Sequence, residues 1–129
     1  MRTDPSNPSD WFLMANDRLE KADALYQQFR PSWSGVELLH EGAERYLKGG
    51  LISRGWKLVR PHDLNRLLGD MCKFDERFEE FAPAFQNLTE QFWEQHYPGG
   101  ELDEVGEDYD EIRASLDGMI QLIKGISAR

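Results

Sequence analysis

Apolar residues recur along this chain at steps of three and four. Trp11, Ala15, Leu19, Ala22, Tyr26 and Phe29 form a first stripe, preceded by Ser9 as an N-cap and Asp10 near the positive end of the helix dipole. This spacing predicts an amphipathic helix that ends where Pro31 disfavours helical backbone for Arg30. Ser34-Gly35-Val36-Glu37 then reads as a capping box, followed by Val36, Leu39, Ala43, Tyr46, Leu47 and Leu51 on one face. Gly49-Gly50 lowers helix propensity, so that helix is expected to fray or end there.

Residues 53–61 have no helical period and contain Gly55 and Pro61, which predicts a loop anchored by Trp56. Leu64, Leu67, Leu68 and Met71 mark a short third helix. Phe78, Phe81, Phe85, Leu88 and Phe92 make a further stripe, interrupted by Pro83, so a kink or break is expected near Ala82. After the Pro98-Gly99-Gly100 turn, Val105, Tyr109, Ile112, Leu116, Met119, Ile123 and Ile126 form a seam close to a 3.5-residue period. Its partner is either the bundle itself or another subunit. No run shows strand-like alternation, and the class is all-α: an antiparallel up-and-down bundle of four to five helices.

Composition places this pattern in one domain. A chain of 129 residues supports a single core, expected over 1–129 with 1–8 as a flexible N-terminus. The lone Cys72 excludes an internal disulfide and a cysteine-cluster zinc site, and it reads as a small apolar residue in a reducing compartment. No apolar run has the length of a signal peptide core or a membrane span, so a cytoplasmic protein is expected.

Charge changes the picture more. The formal charge is −9, which opposes non-specific nucleic-acid binding. Yet residues 45–66 hold six basic residues and one acid, whereas residues 67–117 hold three basic residues and fifteen acids. The basic set is Arg45, Lys48, Arg54, Lys57, Arg60 and Arg66. It either collects phosphates or pairs with the acidic final third.

Catalytic and metal patterns are sparse. Glu37-Leu38-Leu39-His40 is a Glu-x-x-His motif, but a di-iron bundle needs two, and no second one exists. Glu37, His40, Glu41 and Glu44 therefore read as a solvated helix face. His-Glu-x-x-His, Gly-x-Ser-x-Gly and a phosphate loop are absent, and no cofactor or metal is expected. Asp63 suits the cap of the third helix, beside His62 in the basic segment.

Three segments, taken in order, resemble the HEPN domain family of helical bundles. His40-Glu41-Gly42-Ala43-Glu44-Arg45-Tyr46-Leu47-Lys48 looks like its second-helix pattern, Pro61-His62-Asp63-Leu64 like its Thr-His-Asp-Leu segment, and His96-Tyr97-Pro98 like its Arg-Tyr-Pro. Trp11 to Leu25 fits the family's first helix. Many family members are ribonucleases that place an Arg and a His four to six residues apart at a dimeric cleft. Here Arg54 and His62 have seven intervening residues and Arg60 and His62 have one, so that motif is missing.

The resemblance implies the bundle and a homodimer, and small members are often paired with a minimal nucleotidyltransferase as accessory subunit or toxin–antitoxin partner. The leading expectation is thus a non-catalytic protein that binds a nucleotide, a short RNA end or a partner protein. Arg45, Lys48, Arg60 and His62 are the phosphate or acidic-group candidates, with Tyr97 placed to stack and no catalytic residue assigned. A degenerate ribonuclease using His62 or His96 as general base, and a purely structural interaction module, are the alternatives.

Overall fold

The computed structural model describes residues 2–58, 63–96 and 108–127. These form α1 (Pro8–Phe29), α2 (Trp33–Ser53), α3 (Leu64–Phe74), α4 (Ala82–His96) and α5 (Tyr109–Ser127), with a 3₁₀ segment Glu76–Phe81 between α3 and α4. No strand occurs among the described residues.

Local chemistry sets the helix ends. Asn7, rather than Ser9, caps α1: its side chain accepts from the Ser9 amide at 3.0 Å, and Pro8 takes the first turn, where its missing N–H costs nothing. The helix ends at Arg30, whose φ of 60° reverses the chain before Pro31. Ser32 rather than Ser34 caps α2, its Oγ accepting from the Gly35 amide at 3.0 Å. Asp63 caps α3 as expected, with Oδ1 accepting from the Arg66 amide at 2.7 Å. The expected break also appears: α4 begins at Ala82, and Pro83 occupies its first turn, where no helical amide bond is lost.

Helix α2 is the centre of the bundle and packs against each of the other four α-helices. Its pairing with α1 is antiparallel: Gly49 lies against Trp11 and Phe12, and Gly42 lies against Ala15 and Leu19. It is antiparallel to α4 too, because His40 meets Phe92 and Glu37 meets His96. Against α5 it runs parallel, from Gly35 beside Tyr109 to Ser53 beside Ser127. Helix α3 starts beside the middle of α2 and brings Met71 next to Gly50.

Close packing explains why α2 runs through Gly49-Gly50 to Ser53 instead of ending there. A Cβ at Gly49 would stand 2.6 Å from Phe12 and 3.0 Å from the Trp11 Cβ; one at Gly50 would stand 2.6 Å from Met71 and 3.3 Å from Ile123. Tertiary contact outweighs the roughly 1 kcal/mol per residue that glycine costs a helix.

One contiguous core joins Ala15, Leu19, Leu39, Leu47, Leu67, Phe78, Phe85, Leu116 and their neighbours. The described part of the α5 seam lies within it. Tyr109, Ile112, Leu116, Met119, Ile123 and Ile126 are all buried in the single chain, and Val105 lies outside the described residues. Trp56 packs on the core edge, and burial pushes the half-buried Cys72 thiol above its usual range, with Glu79 and Asp75 adding to the shift. No described helix is long and apolar enough to cross a membrane.

Candidate functional site

The middle of α2 faces an open cavity of about 590 Å³, flanked by the start of α3 and the end of α4. Helix α2 lines it with Glu37, His40, Glu41, Glu44 and Arg45; α3 and its cap add Arg66 and Asp63; α4 adds Phe92 and Trp93. The volume falls in the roughly 300–1,000 Å³ range of small-molecule sites.

His40 is the most altered group in it. Its ring stacks on Phe92, with centroids 3.9 Å apart and planes 11° from parallel, and the residue is only 7% exposed. Burial pushes its pKa down to about 4; His96 and Arg45 act in the same direction, while Glu44 and Asp63 oppose them. His40 is therefore a neutral imidazole near pH 7. This corrects the expectation of a solvated Glu37-His40-Glu41-Glu44 face: His40 is buried, and the three glutamates edge a cavity. His96 tilts over the same Phe92 ring at 4.6 Å, with Nε2 3.8 Å from Glu37 Oε1. Trp93 meets Phe92 edge-on at 5.5 Å and is 48% exposed at the rim.

The basic side chains divide the work. Arg45 Nη1 donates to the Glu41 carbonyl at 3.2 Å, but its Nε is buried with no acceptor among the described residues. Lys48 points away from the cavity, donating to Glu44 at 3.2 Å and lying 5.4 Å from the Trp11 ring centroid. Arg66 is exposed at the mouth. Of the five phosphate and stacking candidates named from sequence, Arg45 lines this cavity and Lys48 is one step removed; Arg60, His62 and Tyr97 lie outside the described residues.

Sequence reasoning named His40 and Arg66 separately, one on a solvated face and the other in the basic set, and did not bring them together with Phe92 and Trp93. The signal was present in part: Glu37, Glu41 and Arg45 follow at intervals of four, the spacing of one helix face. What periodicity does not reveal is that Phe92, assigned to the core stripe of α4, turns its ring to a histidine of α2. Among the described residues no three His, Cys, Asp or Glu side chains converge as a metal site.

No curated protein and no solved structure gives a significant match to the chain. The family model of the HEPN domain matches residues 8–126, from the first residue of α1 nearly to the last of α5. A match of that extent, over a helical bundle of this order, means that the chain belongs to the HEPN domain family.

Proposed function

We propose that this chain is a non-catalytic HEPN protein that binds a nucleotide in the cavity between α2, α3 and α4. The observation that carries this reading is Arg45: a guanidinium in the cavity wall, near Arg66, with an Nε that no described residue satisfies. A phosphate oxygen is an acceptor that a guanidinium engages strongly through its outer N–H groups. Arg66 supplies a second cation at the mouth, and Trp93 offers a half-exposed ring for stacking. His40, held neutral, suits hydrogen bonding to a base or sugar. It does not supply the imidazolium that RNA cleavage would use as general acid.

Titration calorimetry with mononucleotides and a short RNA at low salt tests the reading. Saturable binding that is lost in Arg45→Gln supports it, and no heat at millimolar ligand removes it.

A homodimer, a nucleotidyltransferase partner, a toxin–antitoxin role and a cytoplasmic location are further parts of the proposal and rest on the family. The described seam residues of α5 are buried in the monomer core, so the dimer proposed here uses another face. Sedimentation equilibrium distinguishes a dimer from the 15.0 kDa single chain.

A further inference from the structure

We infer that the groove between α5 and the start of α4, with the 3₁₀ segment before it, docks a basic amphipathic helix of a partner protein. Two adjoining stretches make the groove. Beside the later half of α5, in a space of about 740 Å³, Glu76, Glu79 and Glu80 stand across from Gly118, Gln121 and Leu122. Beside its start, in about 280 Å³, Glu80, Pro83, Ala84 and Asn87 stand across from Asp108, Glu111 and Ser115. Glu80 borders both stretches, so they run into one another. From Glu111 to Leu122 the groove follows α5 for about 17 Å, the length of about three helical turns. It shares no lining residue with the cavity at His40, so the inference stands apart from what that cavity binds.

Short side chains open the groove. Gly118 packs so close to the Phe81 ring that a Cβ there would stand 3.1 Å from it, and Ala84 and Ser115 keep the neighbouring turns low. Buried Ile112 and half-buried Leu122 make the floor apolar together with Pro83 and Ala84. An apolar floor of small residues between two helical walls lets a third helix approach to about 8–10 Å between axes.

Charge selects the occupant. Glu76, Glu79, Glu80, Asp108 and Glu111 are exposed along the two rims. Arg77, the one cation among the described lining residues, is held by Asp75 through Nε at 3.0 Å and Nη2 at 2.6 Å. The sequence joining α4 to α5 adds acid and no base: residues 97–107 hold four Asp or Glu and no Lys or Arg. The rim carboxylates are strung along the groove, and among the described residues they do not converge as a metal site, so a row of Lys and Arg side chains suits them better than an ion. Polynucleotides are repelled, and so is the same face of a second copy. The match is a helix whose narrow apolar stripe is flanked on both sides by basic residues.

Fluorescence anisotropy tests this with a labelled model helix of leucine, alanine and lysine in amphipathic order, and with a scrambled peptide of the same composition. At low salt the amphipathic peptide is expected to bind about tenfold more tightly than the scrambled one. Glu80→Lys, at the junction of the two stretches, and Ser115→Arg, which fills the floor, should each weaken it about tenfold. Glu20→Lys makes the same charge change on exposed α1 surface and should cost less than about threefold. Equal binding of the two peptides, equal loss in Glu20→Lys and Glu80→Lys, or full affinity in Ser115→Arg overturns the inference. So does self-association at low salt that Glu80→Lys abolishes, because a second copy then occupies the groove.

Discussion

His40 owes its low proton affinity to position: a ring pressed on Phe92, with Arg45 and His96 nearby and only Glu44 and Asp63 opposing. The consequence reaches stability. Its pKa falls from 6.5 to about 4 on folding, so the unfolded chain binds a proton between those values that the folded chain refuses. Linkage then makes the stabilisation complete above about pH 6.5 and removes it as the pH falls toward 4, by on the order of 3 kcal/mol. Denaturant unfolding at several pH values checks this. His40→Phe, which keeps a ring against Phe92, is expected to flatten the stability curve between pH 4 and 6.5 relative to wild type, and parallel curves for the two proteins would refute the assignment.

At the level of elements, Gly49 and Gly50 of α2 and two glycines of the outer helices, Gly69 and Gly125, are opposites. At Gly49 a methyl group would meet the Phe12 ring, stacked on Tyr46, and the backbone-fixed Trp11 Cβ, neither of which yields easily. Gly49→Ala is expected to destabilise by about 1–3 kcal/mol despite its better helix propensity. Gly69 in α3 and Gly125 in α5 have nothing within 4 Å, and alanine at either is expected to stabilise by up to about 1 kcal/mol. Chemical denaturation midpoints measure both signs.

The same contrast shows what could be read from the chain. A bundle of four to five helices and a kink or break near Ala82 were legible because periodicity and proline act locally. The run of α2 through Gly49-Gly50 was not, since it depends on which distant side chains need the space. The cavity was legible only as far as Arg45. Asp63 could be read as a cap, but the meeting of Phe92 with His40 joins residues 52 positions apart with no local signature.

For the whole molecule, the described part of the basic segment is interspersed with acids. Arg45 and Arg66 sit among Glu37, Glu41, Glu44 and Asp63, Lys48 is paired with Glu44, and Arg54 and Lys57 are exposed past the end of the central helix region. Against a net charge of −9, no continuous cationic track is available among the described residues for a polynucleotide backbone. A long single-stranded RNA is therefore expected to bind no more tightly than a mononucleotide. Its salt slope should be about −0.7 to −1.4, the signature of one or two phosphate contacts. Fluorescence anisotropy across a salt series measures it, and a slope several times steeper would show a binding track elsewhere.

Because α2 is enclosed by every other helix, its amides can reach solvent only when the bundle opens as a unit. In native-state hydrogen exchange, residues 39–51 should set the slow limit and exchange with the global unfolding free energy. The wall carrying His40 and Arg45 is thus already rigid before anything binds. Protection gained on adding a ligand should appear in the first turn of α3, around Arg66, and leave α2 almost unchanged.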